Sequence, residues 1–362
     1  MLGIIGLGQA GGTVADLFAE RGFLSMAINY SEKDLESLDH LDLKLHLVGS
    51  EGVGRERSKA TKLIQNNWET AVSFIRNNVS QSSIQMILVV FATGGGSGSG
   101  IAPVMCDLLS NEFENKVIVA CPILPDSTES TKAQINSLEC LKELSELDIC
   151  ILTIDNAQRK ERSKSQLYRS VNESFVKDMV TIVEHTEMNS KYGNMDTNNL
   201  LSLFSAKGFA HISYADISKI NESIKLSKET VTEKIIQSWQ QSIFTKPSLD
   251  KIHKFGLIFN GQECLMDYLD IQSYCSQFKN LPLTTFEGYY NNRKGDVYTI
   301  LTGLQFNTER LNEIETNIVK QTEILSNVLT QSHSISIKPV AIKLKPVEKK
   351  KKPLSDIIKK YK

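Results

Sequence analysis

A run of five glycines and two serines at residues 94–100 constrains the fold of this chain more than any other feature. The preceding residues 86–91 are apolar and partly β-branched, which predicts a buried strand. The residues from Ile101 predict a helix with Pro103 in its first turn. A glycine-rich turn between a strand and a helix start presents backbone N–H groups and a positive helix dipole to an anion. We therefore predict a cradle for a di- or triphosphate.

The glycine-rich loop lacks the lysine that the Walker A pattern G-x-x-x-x-G-K-[ST] requires. Its letters, GGGSGSG, closely resemble the signature loop GGGTG[ST]G of the tubulin/FtsZ superfamily of GTPases, with Ser97 in place of threonine. The resemblance implies an α/β fold, in which a Rossmann-like GTP-binding domain with a mostly parallel sheet precedes a central helix and an α+β C-terminal domain. It also implies GTP or GDP and Mg²⁺ as ligands.

A second glycine pattern follows the first predicted strand. Residues 6–11 fit G-x-G-x-x-G before a helix expected from about Thr13, which taken alone is the fingerprint of a nicotinamide dinucleotide site. That fingerprint needs an acid directly after the second strand, but the strand ends in Asn29 and the first acid is Glu32. The oxidoreductase alternative is weakened but stays open. In the resemblance, this is the first phosphate loop, where Gln9 helps to hold the metal and the terminal phosphate, and Asn29 belongs to the second loop.

Two further loops are assigned by the resemblance. Residues 49–55 form a third glycine loop before a long helix, which in the family senses the γ-phosphate. An ordinary turn at a helix start explains the same letters equally well. After the predicted strand at residues 117–121, Asp126 is the candidate partner of the ribose hydroxyls and Glu129 is the runner-up. A carboxylate at a helix start is also a favourable partner of the helix dipole.

The residues that contact the base are expected farther along the chain. In the family these contacts begin after the strand that here covers residues 149–154 and ends in Asp155 and Asn156. Asn172 lies one turn into a helix predicted over residues 166–187, at the position from which family members bond the guanine edge. An amide can both accept hydrogen bonds from guanine and donate to it. An apolar stripe on this helix predicts a central position between two domains.

Residues 191–199 interrupt the helical pattern. They match the family's catalytic loop N-x-D-x-x-[DE] at Asn194 and Asp196, whereas the last acid is replaced by Asn199. The family places the nucleotide on one subunit and this loop on the next, so the resemblance implies hydrolysis that waits for polymerisation. Asp196 is then the main catalytic carboxylate. Its alternative use is as the cap of a helix that begins near Thr197.

The residues that the resemblance assigns to the site fall into two groups. Those assigned to GTP binding are Gly8, Gln9, Ala10, Gly11, Gly12, Asn29, Gly94, Gly95, Gly96, Ser97, Gly98, Asp126, Glu129, Asn156 and Asn172. Those assigned to catalysis are Asp196, Asn194 and Asn199. Mg²⁺ is expected near Gln9, held through the phosphates.

These patterns divide the chain into five parts. They are a GTP-binding domain at residues 1–165, a central helix at 166–190, a C-terminal domain with the catalytic loop at 191–305, a C-terminal helix at 306–331 and a basic tail at 332–362. The second half is expected to be a separate α+β unit. Its strands are predicted at 209–214, 254–259, 283–286 and 296–301, and its helices near 219–242, 264–277 and 307–331.

The C-terminal segment has a charge unlike the rest of the chain. From Lys338 to Lys362, ten lysines stand against Glu348 and Asp356, so this segment carries +8 although the whole chain carries −1. Its composition predicts a flexible tail that does not fold alone. A basic tail suits an acidic partner such as DNA, an acidic protein or anionic lipid.

The long C-terminal helix and basic tail resemble the phage- and plasmid-borne TubZ branch of the superfamily, since the acidic C-terminal peptide of FtsZ is absent. This implies a homopolymer, a longitudinal filament that segregates DNA through an adaptor protein of the TubR type. The adaptor would bind centromere-like DNA and meet the filament through the basic tail. An FtsZ-like division scaffold is the alternative, and a nicotinamide oxidoreductase is a remote one.

Composition also indicates the compartment. The six cysteines form no C-x-x-C pair, and most lie in apolar runs, which is typical of buried free thiols in a reducing cytosol. No apolar run approaches the ~20 residues of a membrane-spanning helix, and the chain enters a strand at once, without a signal peptide. We expect a cytoplasmic protein of a bacterium or a phage host.

Overall fold

The computed structural model describes residues 1–220 and 226–330, which alternate strands and helices. The strands are β1 (Leu2–Leu7), β2 (Leu24–Asn29), β3 (Leu43–His46), β4 (Met86–Ala92), β5 (Val117–Leu124), β6 (Cys150–Leu152), β7 (Ile154–Asp155), β8 (Gly208–Asp216), β9 (Lys254–Gly261), β10 (Thr284–Tyr290) and β11 (Gly295–Leu304). The helices are α1 (Gly8–Glu20), α2 (Glu32–Glu36), α3 (Arg57–Val79), α4 (Ser97–Glu112), α5 (Thr131–Ser145), α6 (Lys164–His185), α7 (Thr197–Phe204), α8 (Lys228–Gln241), α9 (Ile271–Cys275) and α10 (Thr308–Thr330). Two 3₁₀ helices cover Asn156–Gln158 and Glu263–Tyr268.

The strands form one continuous sheet in the order β10-β9-β11-β8-β6-β5-β4-β1-β2-β3, with β7 beside β5. Every pair from β3 to β8 along this path is parallel, and only β11 runs antiparallel to its neighbours. The predicted α/β fold class with a mostly parallel sheet is therefore confirmed. The strands of the second half continue the same sheet through the β6–β8 pair, and Met1–Thr322 form one compact unit. The five functional boundaries stay a prediction.

Alternate residues of the central strands enter two different cores, as a doubly covered sheet requires. On β4, Leu88 and Val90 join one cluster, which α1, α6 and α7 cover. Ile87 and Val89 join the other, which α3, α4 and α5 cover. The apolar stripe predicted for the central helix is buried in the first cluster together with side chains of β1, β4, β8 and β11. The helix therefore packs against strands from both halves of the chain, while its place between two domains stays a prediction.

The strand order reverses between β1 and β4. The chain builds β2 and β3 on one side of β1, and then places β4, β5 and β6 on the other side. In an open parallel sheet, the loops at the carboxyl ends of the strands part at such a point and leave a crevice for a ligand. The two loops that leave this point are residues 8–12 and 93–97, which are both rich in glycine.

Both glycine loops turn into helix earlier than the sequence patterns predict. Helix α1 begins at Gly8 instead of Thr13, and α4 begins at Ser97, so Pro103 lies in its second turn and not in its first. The physical reason is close packing. A Cβ on Gly11 would lie 2.1 Å from the carbonyl oxygen of Val90. These glycines therefore let a helix start directly against the sheet.

The C-terminal elements match most predictions. The four predicted strands are present, and the C-terminal helix is confirmed as α10. The helix predicted at residues 264–277 is wrong, because a 3₁₀ helix and the short α9 occupy that stretch. The predicted basic tail at residues 332–362 lies outside the described residues. Of the six free cysteines, only Cys264 is exposed, and no helix among the described residues has the length and hydropathy of a membrane span.

Candidate functional site

A cavity of 1470 Å³ opens at the carboxyl ends of β1, β4 and β5. Its lining combines the turn into α1, the loop before α3, the turn into α4 and the outer face of α6. Of the residues predicted to bind nucleotide, the lining includes Gly8, Gln9, Ala10, Gly94, Gly95, Gly96, Ser97, Gly98, Glu129, Asn156 and Asn172. The cavity thus lies at the crevice expected from the reversal of strand order.

Three glycine-containing loops meet to form the floor of this cavity. A Cβ on Gly8 would lie 2.8 Å from the backbone nitrogen of Gly98, so the first loop and the signature loop touch through their backbones. A Cβ on Gly96 would lie 2.6 Å from Val53 and 2.8 Å from Arg55, so the third loop abuts the signature loop as well. The starts of α1 and α4 add the positive ends of two helix dipoles, which favour an anion at this floor.

Asn136 on α5 forms hydrogen bonds with the loops of the floor from the side away from the cavity. The sequence patterns did not identify this residue. Its amide nitrogen donates to the carbonyl oxygens of Gly95 at 3.1 Å, Gly94 at 3.3 Å and Arg55 at 3.1 Å. The side chain is fully buried. One amide therefore holds the signature loop and the third loop together. A buried asparagine in a helix gives no local sequence signal, because its partners come from distant loops.

Arg55 is the second residue that sequence reasoning left without a role of its own. Among the described residues, it is the only non-glycine residue with a positive φ, at 65°, a conformation that costs an L-residue about 1 kcal/mol or more. Its backbone packs on Gly96, and its guanidinium donates to Ser130 Oγ at 3.0 Å on the cavity wall. The strained backbone thus places a cation beside a phosphate floor that has no lysine.

The two acids proposed for the sugar are placed differently. Asp126 is buried behind the wall, where its carboxylate accepts from the backbone N–H of Thr128 at 2.6 Å. Glu129 lines the cavity, and the Tyr168 hydroxyl forms a hydrogen bond with it. Burial, together with the nearby Asp126, raises the pKa of Glu129, while Tyr168 lowers it. The geometry therefore favours Glu129, the runner-up of the sequence argument, for contact with a ligand.

Two amides line the same cavity as the glycine loops. Asn156 follows β7, and its Oδ1 is buried without a hydrogen-bond partner in the described part of the chain. Asn172 on α6 is 8% exposed and lines the same cavity. Tyr168 lies one turn before Asn172 on this helix and adds an aromatic ring to the wall. A buried acceptor without a partner costs about 1–3 kcal/mol, which a ligand with N–H donors would relieve.

Three more predicted residues lie behind the cavity wall. Asn29 is buried, accepting from the Tyr30 backbone N–H at 2.8 Å and donating to Asp34 at 3.0 Å. It therefore orients Asp34, which does line the cavity. Gly11 and Gly12 are buried in α1, where they serve the packing of that helix against its neighbours.

The predicted catalytic residues are clustered away from the cavity. Asp196 caps α7, because its Oδ1 accepts from the backbone N–H of Asn199 at 2.8 Å. The Asn199 amide donates to the Asn194 carbonyl oxygen at 3.3 Å, and the Asn194 side chain closes a turn with Ser190. Asp196 is exposed, and its other oxygen accepts no hydrogen bond from a described residue. The capping use of Asp196 is therefore present, and the carboxylate keeps one free acceptor.

The site was tested for a divalent cation. In the described residues, no group of three or more His, Cys, Asp or Glu side chains is arranged to hold a metal. Gln9 is exposed at the cavity floor, and Asp34 lines the same cavity. Such a donor set fits Mg²⁺, which keeps several waters and is commonly held by one or two side chains together with substrate phosphates.

Comparison with known proteins agrees with this geometry. Residues 2–161 match the model of the Tubulin/FtsZ family, GTPase domain. The chain is 27% identical over 319 residues to the tubulin-like protein CetZ of Pyrococcus abyssi, covering 83% of this chain and 85% of that protein. It is 26% identical over 344 residues to the tubulin-like protein TubZ of Clostridium botulinum C phage, covering 93% and 88%.

Solved structures share the fold. TubZ of Clostridium botulinum phage c-st superposes with a TM-score of 0.73 at 23% identity, covering 89% of this chain and 98% of that one. A GTPγS-form protofilament of TubZ from Bacillus thuringiensis serovar israelensis superposes with a TM-score of 0.76 at 19% identity, covering 91% and 94%. At these identities the likeness shows the fold alone.

Proposed function

Because residues 2–161 match the model of the Tubulin/FtsZ family, GTPase domain, we propose that the chain hydrolyses GTP to GDP and phosphate within filaments of its own copies. One observation carries the proposal. Three glycine loops form an anion-binding floor in a single cavity, and the unpartnered acceptor of Asn156 lines the same cavity. A nucleotide suits both features, and the family match favours guanine over a nicotinamide cofactor.

In this proposal, different cavity residues contact the phosphates, the ribose and the base of the nucleotide. The floor at Gly8 and Gly96 would bind the phosphates through backbone N–H groups, and Arg55 would neutralise part of their charge. Glu129 would accept from the ribose hydroxyls. Asn156 and Asn172 would bond the guanine edge. Bound Mg²⁺ would supply further neutralisation of the phosphates, with Gln9 beside it.

Hydrolysis requires a group that orients the attacking water. None of the described residues at 190–199 lines the cavity, so Asp196 cannot serve the nucleotide of its own copy in this arrangement. We assign it to the nucleotide of the next copy in a filament. The free oxygen of Asp196 would accept from the water, while the capping bond to Asn199 holds the carboxylate in place. Solved relatives are described as protofilaments, which supports a homopolymer.

The cellular task is inferred from the C-terminal sequence. The CetZ and TubZ relatives match at nearly the same identity, so family membership does not select between their roles. The +8 charge of residues 338–362 favours capture of an acidic partner. We therefore propose segregation of phage or plasmid DNA in the cytoplasm, through an adaptor of the TubR type on centromere-like DNA. An FtsZ-like division scaffold is the second candidate.

One experiment tests the enzymatic proposal. Purified protein with GTP and Mg²⁺ is followed by light scattering and by phosphate release over a range of protein concentrations. We expect both signals to rise above a common threshold, because no single copy holds a complete site. Phosphate release that is strictly proportional to protein concentration, without scattering, would contradict activation by polymerisation. Equal affinity for ATP and GTP, or tight binding of NADH, would contradict the choice of guanine.

A second experiment tests the role of the tail. Truncation at Ser332 is expected to leave assembly largely intact and to abolish recruitment of adaptor–DNA complexes to filaments. Recruitment by the full chain should also weaken steeply with salt, because exposed cations are screened. Normal recruitment by the truncated chain, or loss of its fold, would show that the tail has another role.

A further inference from the structure

Arg310, in the first turn of α10, is buried although it carries a full charge. Its side chain is 5% exposed. The guanidinium Nε donates to Asp155 Oδ2 at 2.8 Å, and Nη2 donates to Asp155 Oδ1 at 3.1 Å. Nη2 also donates to the carbonyl oxygen of Pro125 at 2.8 Å, and Nη1 donates to Glu313 at 3.2 Å. A buried guanidinium with four hydrogen bonds is a fixed part of the structure.

Two of the three partners of Arg310, Asp155 and Pro125, belong to the two segments that carry the proposed base and sugar contacts. Asp155 is fully buried and directly precedes Asn156, whose unpartnered Oδ1 is the proposed acceptor for guanine. Pro125 lies on the cavity wall at the start of the segment that ends in Glu129. None of the described residues of α10 lines the cavity. Arg310 therefore reaches the site through its partners.

The position of this contact explains why it matters. Strands β5 and β7 pair at Ile123 with Ile154 and at Leu124 with Asp155, and their ladder ends there. Directly beyond it, both segments contribute residues to the cavity wall: Pro125 and Glu129 from one segment and Asn156 from the other. Arg310 bridges them at this point, from Pro125 to Asp155. It takes the place of the next ladder bond and sets the spacing between the two segments.

We propose that Arg310 is a positioning residue that makes α10 part of the nucleotide site. Through Asp155 and Pro125 it holds Asn156 and the Glu129 segment at the separation that a guanine nucleotide needs. Occupancy of the cavity and docking of α10 then stabilise each other, since the coupling between two such events is reciprocal. This inference rests on the proposed function, because it names what aligns the base and sugar contacts.

Hydrogen exchange of the wild-type protein tests the coupling without any substitution. GDP is added at saturation, and exchange is compared with that of the nucleotide-free protein. We expect amides at residues 308–318 to exchange about 5- to 10-fold more slowly with GDP, a coupling of the usual allosteric size. Amides of α8, which packs against β8 away from the cavity, serve as the reference and should not change. Unchanged exchange at 308–318 while GDP binds would overturn the inference.

Substitutions test the positioning role. Arg310→Gln keeps hydrogen-bonding atoms but removes the charge and the fork, and Arg310→Lys keeps the charge alone. We expect the Kd for GDP to rise about 10- to 100-fold in Arg310→Gln and less in Arg310→Lys, because a lysine cannot donate to Asp155 through two parallel bonds. The matched control is Arg76→Gln, which removes the arginine of a surface ion pair with Glu112.

A second measurement separates positioning from general stability. The ratio of the Kd for ADP to that for GDP reports contacts with the base edge, since both ligands share the phosphates and the sugar. We expect this ratio to fall in Arg310→Gln and to recover partly in Arg310→Lys. A lower melting temperature with an unchanged ratio would show a purely structural role and overturn the inference. If the wild-type protein binds no guanine nucleotide at all, the proposed function itself fails instead.

Discussion

The polar groups around the candidate nucleotide cavity and those of the predicted catalytic loop differ in whether they have hydrogen-bond partners. On the cavity wall, the buried Asn156 Oδ1 has no partner among the described residues, and Asp126 Oδ2 and Asn136 Oδ1 are unpartnered in the layer behind the wall. In the loop at residues 190–199, polar side chains bond one another and the backbone, as Asp196 does with Asn199. Both regions are rich in polar residues, and only the cavity leaves them unsatisfied inside the protein.

This difference indicates which kind of partner each region is suited to bind. A buried acceptor without a partner costs about 1–3 kcal/mol, so the unpartnered Asn156 Oδ1 on the cavity wall favours a ligand that donates to it. The loop carries no such cost, because its groups are satisfied or exposed. It is a stable turn that presents one free carboxylate oxygen of Asp196 to its surroundings. In the proposed function, the cavity is completed by a nucleotide and the loop by another copy of the chain.

The largest effect is expected from a substitution in the predicted catalytic loop. Asp196→Ala is predicted to slow hydrolysis by about 10²–10⁴-fold while GTP still binds, because the attacking water loses its acceptor. The lost cap should lower stability by only about 1 kcal/mol. Phosphate release above the assembly threshold, together with the melting temperature, checks both numbers. The filaments should assemble and then fail to come apart.

Asp196→Asn is the matched control, since asparagine caps a helix about as well as aspartate. It should keep the melting temperature of the wild type but lose hydrolysis as Asp196→Ala does. Restoring the second family acid with Asn199→Asp is expected to raise the rate. Hydrolysis at the wild-type rate in Asp196→Asn would show that Asp196 is a cap alone, and Glu129 or Asp126 would become the next candidates.

The next largest effect is expected from substitutions of the two amides that line the cavity. Asn172→Ala and Asn156→Ala are each predicted to weaken GTP binding by about 1–3 kcal/mol, the usual loss when a buried hydrogen-bonding group of a ligand goes unpaired. Asn156→Ala should in addition leave the stability of the empty protein unchanged or higher, because it removes an acceptor that has no partner there. Titration of a fluorescent guanine nucleotide and thermal unfolding measure the two quantities. A stability loss without a binding loss would contradict a ligand-facing role.

The comparison also explains what the sequence could predict. The glycine loops were found from letters alone, because a glycine-rich turn between a strand and a helix is a local pattern. The capping alternative of Asp196 was equally local and proved to be present. Most strands of the sheet followed from short apolar runs that each predict a buried strand, whereas their order came from the structure.

Residues that act across long sequence separations could not be predicted in this way. Asn136 and Arg310 contact the site through loops 42 and 155 positions away, and nothing in their neighbouring letters distinguishes them from surface residues of a helix. Asn29 fits the family pattern, but its side chain turns back to Asp34, five residues on. The extended starts of α1 and α4 were missed because glycine is a poor helix former and only packing against the sheet makes it helical there.

A smaller effect distinguishes two glycines of the signature loop. A Cβ on Gly98 would lie 2.8 Å from the Leu7 carbonyl oxygen, whereas a Cβ on Gly95 would meet nothing closer than 3.9 Å. Gly98→Ala is therefore predicted to lower stability by about 1–3 kcal/mol through overpacking. Gly95→Ala should stay within about 0.5 kcal/mol of the wild type while weakening GTP binding, because the added methyl lies on the cavity side. Equal melting temperatures would contradict the packed floor.

The smallest expected effect concerns the carboxylate of Glu129 in the empty cavity. Burial beside Asp126 raises the pKa of Glu129 above its value in the unfolded chain. As the pH rises through the unfolded value, the unfolded chain loses this proton first, so a penalty against folding grows until the folded pKa is passed and persists at higher pH. Glu129→Gln should therefore be more stable than the wild type by up to about 1 kcal/mol at pH 7 and equal to it near pH 4, while its GTP affinity falls.

Glu229 at the start of α8 gives a control of opposite sign. Hydrogen bonds with its own backbone and with Ser227 lower the pKa of Glu229. The Glu229→Gln variant should therefore be less stable than the wild type at pH 7 but not at pH 3. A gain in Glu129→Gln that is the same at both pH values would show that shape, and not charge, limits the stability of the empty cavity.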